Sequence, residues 1–105
     1  MRQLLSRRVV VPESVLVREL SGEAVLLNLA TEMYFGLDEI GYRMWTLLTT
    51  TESIGGAYEQ LLSEYEVEPE QLWESLDALF SQCTEQGLLQ LAPVDAQELQ
   101  KPSGS

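Results

Sequence analysis

The sequence predicts an α+β domain in which a three-stranded antiparallel sheet is followed by three helices. Three observations carry that prediction. Apolar runs over residues 15–20, 24–29 and 32–37 are each of strand length and are separated by short turns. From Ile40 onward, apolar residues instead recur at helical spacing in three successive segments. All the strand signals precede all the helix signals, so sheet and helices segregate instead of alternating.

Residues 1–8 are polar and basic and are expected as a loose lead-in to a domain over residues 9–91. Residues 9–11 can form a short extra edge pairing, which Pro12 cuts off. In the first strand Val15 and Val17 share one face, and Leu16, Arg18 and Leu20 the other. Ser21-Gly22 supplies a two-residue hairpin turn, because glycine accepts positive φ. The second strand, residues 24–29, is nearly all apolar and suits a central position. Ala30-Thr31 turns the chain into the third, where Met33, Phe35 and Leu37 share one side and Tyr34 takes the other.

Asp38 caps the first helix, its carboxylate accepting from free first-turn amides. Ile40, Met44, Leu47 and Leu48 recur at helical spacing along that helix, with Trp45 beside them. Gly41 costs roughly 1 kcal/mol against Ala there and is tolerable where the helix packs close on the sheet. Ser53 caps the second helix, whose apolar set is Ile54, Ala57, Tyr58, Leu61, Leu62 and Tyr65. Gly55-Gly56 weakens its first turn. The third helix starts at Glu68-Pro69, with proline at the first helical position. Val67 and Leu72 stand where a hydrophobic staple would place them. It runs to Gln86, roughly 27 Å at the α-helical rise, and Gly87-Leu88 reads as a Schellman close onto Cys83. Residues 88–91 either form a short return strand or simply pack. Residues 92–105 are expected as a disordered tail.

Composition removes several function classes. The chain has 105 residues, one cysteine and no histidine. That leaves no intrachain disulfide, no thiol metal cluster and no imidazole base, so no enzyme, metal or other cofactor is expected. No apolar run approaches the 18 or so residues of a membrane span, so a soluble cytoplasmic protein is expected. Net charge is −11, and between Met44 and Gln100 eleven carboxylates face no Lys or Arg. Such a half repels phosphate backbones, so a nucleic-acid partner is not expected.

Strands first and helices after is a winged helix-turn-helix-like arrangement with the sheet placed at the start. The residues then narrow it. Gly22-Glu-Ala-Val-Leu-Leu-Asn-Leu29, followed by Tyr34-Phe-Gly-Leu-Asp-Glu-Ile-Gly-Tyr-Arg-Met-Trp45, resembles the PqqD-like family, the precursor-peptide recognition elements of ribosomal peptide biosynthesis. Tyr34, the Leu37-Asp38 step into the helix and Gly41-x-x-x-Trp45 are similar to the stand-alone members of lasso-peptide pathways. Tyr65, Pro69, Phe80 and Gly87-Leu88-Leu89 also match, so the resemblance covers about residues 14–91.

What the resemblance implies is a non-catalytic module that binds the leader segment of a precursor peptide. The leader adds as a strand to the third strand, over Met33, Tyr34, Phe35 and Gly36, and lies beside the third helix at Trp73, Leu76, Asp77 and Phe80. The implied partners are that leader, a leader peptidase and then a cyclase. A radical SAM protein or another modifying enzyme is an alternative recipient of the same kind of module.

The residues themselves support strand capture independently of the family. The third strand of a meander has an unpaired side, which can template another chain. Gly36 either admits a second backbone or only bends the strand into Asp38. Trp73 and Phe80 either wall a groove or belong to the core, since Leu72, Leu76 and Leu79 already form an inward stripe. Asp77 lies between them on one face and is suited to a basic leader residue. Cys83, on the apolar stripe with no histidine to activate it, is expected as a buried structural thiol. A DNA-binding winged helix would need Arg or Lys on the third helix, and none is there. A structural dimer through the open edge would be displaced by a leader.

Overall fold

The computed structural model describes residues 4–92; of the expected tail over residues 92–105, Ala92 is buried and bonded to Arg8, and the rest lies outside the described residues. Strand β1 is Val9–Val10, β2 is Val15–Leu20, β3 is Glu23–Asn28 and β4 is Met33–Leu37; helices α1 (Glu39–Thr50), α2 (Ile54–Glu64) and α3 (Pro69–Glu85) follow, and β5 is Gln90–Leu91. Strands β2, β3 and β4 form an antiparallel sheet in that order. The expected class and element order are therefore those observed.

Each turn has a local cause. Ser21 and Gly22 both have positive φ, 56° and 85°, and join Leu20 to its partner Glu23 as a two-residue hairpin requires. After β3, the Asn28 side chain accepts from the Ala30 amide at 2.9 Å, while its carbonyl accepts from Glu32 at 2.7 Å. Asp38 accepts from the Gly41 amide at 2.7 Å and Ser53 from the Gly56 amide at 3.0 Å, so both helix caps take the expected form. At the end of α3, Leu88 donates to the Cys83 carbonyl and Gly87 to that of Thr84, a Schellman close with Gly87 at φ 71°.

The core lies between the inner sheet face and the helices. Leu26, Leu48, Ile54, Leu61, Leu76, Leu88 and Leu89 are its fully buried members. Val15, Ala24 and Leu37 close it from the sheet, and Trp45 from α1. Asn28 is the buried polar side chain among the described residues. It donates to the Gln86 and Gly87 carbonyls at 3.3 and 3.2 Å, joining β3 to the end of α3.

Residues near the amino end take part in this fold. The Leu5 and Arg7 carbonyls accept from the Gly55 and Ile54 amides, each at 2.9 Å, satisfying first-turn donors of α2. A Cβ on Gly55 would stand 3.2 Å from the Leu5 carbonyl oxygen, so glycine there permits that approach. Strand β1 pairs with β5, Val9 opposite Leu91. Thus residues 88–91 do supply a return strand, and the short pairing of residues 9–11 is made with it. No described helix is long and apolar enough to cross a membrane.

Two measurements test these joints. Replacing Asn28 by Ala strands buried carbonyls and is expected to lower stability by about 2–3 kcal/mol in urea unfolding. Arg43 grips Glu64 through Nε at 2.8 Å and holds its carboxyl well below the usual 4.5, at about 2, with Gln60 assisting. A lowered folded value means this contribution is present above pH 4.5 and fades as pH falls toward 2. The stability difference between the native chain and Glu64→Gln is therefore expected in full at pH 6 and largely lost by pH 2.

Candidate functional site

Strand β4 is the edge of its sheet: among the described residues it pairs with β3 and with no other strand. Strands β1 and β5 pair with each other in a separate two-stranded sheet. The register places Met33, Phe35 and Leu37 opposite Asn28, Leu26 and Ala24 on the inner face. Tyr34 and Gly36 point outward. Met33 is 56% exposed and Tyr34 73%, whereas Phe35 packs partly against the core. A strand of Met-Tyr-Phe-Gly-Leu carries neither charge nor proline, the usual means of blunting an edge.

Two hollows mark where α3 faces this side. One, of about 320 Å³, is lined by Ile40, Met44, Tyr65, Val67, Gln71 and Ser75 among others. The second, of about 420 Å³, is lined by Thr31, Met33, Glu85, Gln86 and Gly87. The start of β4 thus lies by the end of α3, and the start of α1 lies by the beginning of α3. In the first hollow Gln71, Leu72 and Ser75 of α3 meet Ile40 and Met44 of α1 and Leu61 and Tyr65 of α2. In the second, Glu85 and Gln86 at the close of α3 stand beside Met33 at the start of β4.

The eight residues named from the sequence fall into two groups. Met33, Tyr34, Phe35 and Gly36 line the edge. Trp73, Leu76 and Phe80 lie in the core: Leu76 is fully buried, and Trp73 and Phe80 are each 8% exposed. Trp73 meets Tyr58 of α2 edge-on, with ring centroids 5.0 Å apart at 87°. The expected second aromatic line on α3 therefore lies in the core, with Trp73 packed against α2. Asp77, half-buried, shares that α2-facing flank one turn after Trp73. The physical reason is width: the apolar stripe of α3 is broad enough to bury Trp73 and Phe80 as well as Leu72, Leu76, Leu79 and Cys83.

Sequence reasoning missed Gln71, Ser75 and Gln86, because polar residues beside an apolar stripe resemble any solvated face. Ile40, read only as part of the helical apolar spacing, is 52% exposed and lines the first hollow. A large aliphatic residue one position inside a helix start was the available signal.

The chemistry offered is that of adhesion. Burial pushes the Cys83 thiol up to about 12, and the residue has no exposed surface, so its thiolate is not accessible. Among the described residues no cluster of three or more His, Cys, Asp or Glu is placed to hold a metal ion. What remains is a row of unpaired backbone groups flanked by apolar hollows.

A family model described as Coenzyme PQQ synthesis protein D (PqqD) matches residues 23–89. The chain belongs to the PqqD family. Solved structures agree with that placement. TbiB1 in complex with the TbiA(beta) leader peptide superposes with a TM-score of 0.72 at 28% identity, covering 82% of this chain and 99% of that one. A lasso peptide synthetase B1 complexed with its leader peptide gives a TM-score of 0.70 at 23% identity over the same shares, and so shares the fold. No curated protein matches the chain. The PqqD match begins at β3 and ends just past α3, so it spans the edge strand and the helix beside it.

The burial of the α3 aromatics has a measurable consequence in this PqqD-family chain. Trp73→Ala and Phe80→Ala are each expected to cost about 3–5 kcal/mol in chemical denaturation, the range for emptying a core aromatic site. A loss below about 1 kcal/mol would instead mark a side chain free to face a guest.

Proposed function

We propose that this protein binds the leader segment of a ribosomally made precursor peptide by strand addition to β4. The single observation that carries the proposal is the uncharged, unpaired β4 edge, its start beside the end of α3, in a PqqD-family chain. It is supported by the TbiB1 structure at 28% identity, a complex with a leader peptide. Backbone groups of Met33, Tyr34, Phe35 and Gly36 supply affinity that is tolerant of sequence. Guest side chains in register with Met33, Phe35 and Leu37 turn inward toward α3 and meet the flank that carries Gln71, Ser75 and Gln86. Trp73, Leu76 and Phe80 act from beneath, holding α3 against α2 so that this flank keeps its distance from the strand. Asp77 is offered to basic residues at the far side of the helix.

The protein performs no chemistry of its own in this proposal. It holds the precursor for a leader peptidase, after which a cyclase closes the product, as in lasso-peptide assembly. Its own acidity fits such a role, because an acidic module favours basic or neutral partners and does not adhere to nucleic acid.

The test is hydrogen exchange in β4. A synthetic leader is expected to bind at about −8 to −9 kcal/mol, a dissociation constant near micromolar. At saturation it is expected to slow exchange of those β4 amides that point away from β3. Gly36→Pro is expected to abolish binding while circular dichroism stays native. Unchanged β4 exchange under saturating leader, or full affinity in Gly36→Pro, would sink strand addition.

A further inference from the structure

Gly36 has no internal reason to be glycine. Its φ is not positive, unlike those of Gly22 and Gly87. A Cβ built on it meets nothing within 4 Å, whereas at Gly41 it would stand 3.1 Å from the Asp38 carboxylate and at Gly87 3.0 Å from the Asn28 amide nitrogen. Glycine inside a strand weakens it through lost entropy and lost packing. Neither backbone geometry nor crowding within the chain explains it, which directs attention to what lies outside.

The space over Gly36 has a definite shape. Arg18, Val25 and Gly36 stand in one row across β2, β3 and β4 on the outer sheet face. Above that row lies a hollow of about 320 Å³, lined by Arg18, Leu20, Glu23, Val25, Gly36 and Asp38 among others. Leu20 and Val25 are exposed large hydrophobics there. The Arg18 side chain makes no ion pair or hydrogen bond among the described residues. Tyr34 stands on the same face two residues back along β4.

We propose that this notch is a side-chain subsite for an aromatic residue of the guest strand. The inference rests on the strand-addition reading and extends it to the outer face, away from α3. A strand added to β4 puts one residue in row with Gly36, pointing to the same face, with its backbone about 4.8 Å farther out. With no Cβ at position 36, that side chain folds back across the glycine onto Val25. A flat ring spans the distance and covers the bare backbone, as aromatic residues do beside strand glycines. The Arg18 guanidinium then has a ring face to stack on. Glu23 and Asp38 on the rim oppose an acidic side chain in the same place.

The experiment uses the full chain and a synthetic TbiA(beta) leader peptide, labelled for fluorescence anisotropy, with its single-alanine series. One aromatic leader position is expected to lose at least tenfold in affinity on change to Ala. Gly36→Val fills the notch while keeping its backbone donor and acceptor. It is expected to weaken the native leader at least tenfold and to shrink the effect of that alanine change below twofold. Arg18→Ala is expected to cost about threefold. Hydrogen exchange under saturating leader keeps the two ideas apart. Protected β4 amides together with Gly36→Val binding within twofold of the native chain would overturn the subsite and leave strand addition standing. Unprotected β4 amides would overturn strand addition and the subsite with it. If Gly36→Val does not fold, Gly36→Ala adds one carbon to empty space and is read in the same way, with a threefold threshold.

Discussion

One buried amide joins the two halves of this fold. Asn28 accepts from Ser14 at 3.3 Å and from the Ala30 backbone, and it donates to both carbonyls that close α3. A buried amide is stabilising only when its polar atoms are matched, and an unmatched one is costly. The matching fixes where the end of α3 sits relative to the turn that launches β4. The other end of α3 is set by a different contact, the edge-on pair of Trp73 and Tyr58. Strand and helix are thus positioned by one polar and one aromatic contact, and the separation between them follows from both.

That separation matters because an unpaired strand is hazardous. Nothing in Met-Tyr-Phe-Gly-Leu discourages a second copy from pairing with it. The protection is remote from the strand: a net charge of −11 in 105 residues repels like copies at a distance. An edge kept open for a guest is tolerable in a molecule that its own kind cannot easily approach.

Much of the architecture was legible because local chemistry leaves few choices. Ser21-Gly22 specified its hairpin, Asp38 and Ser53 their caps, and Pro69 and Gly87 bracketed α3 to within a residue. The edge status of β4 followed from element order alone. Side of contact was less legible. Helical periodicity shows that Trp73 and Phe80 belong to a wide apolar stripe, but it does not say which neighbour each flank meets. Gln71 and Ser75 were unreadable for the same reason, since only tertiary placement separates them from other polar helix residues. The pairing of β1 with β5 joins two-residue strands too short to carry any alternation. Gly36 was readable only halfway: its exposure and ordinary backbone had to be seen before bending could be set aside.

The pairing of Val9–Val10 with Gln90–Leu91 has its own consequence. Arg7 donates to the Ala92 carbonyl at 2.8 Å, and the Ala92 amide donates to that of Arg8 at the same distance. Residues 7–10 and 90–92 therefore run side by side, and the two ends of the described domain lie close together. A domain wired this way can be spliced into a surface loop of an unrelated host without stretching either partner.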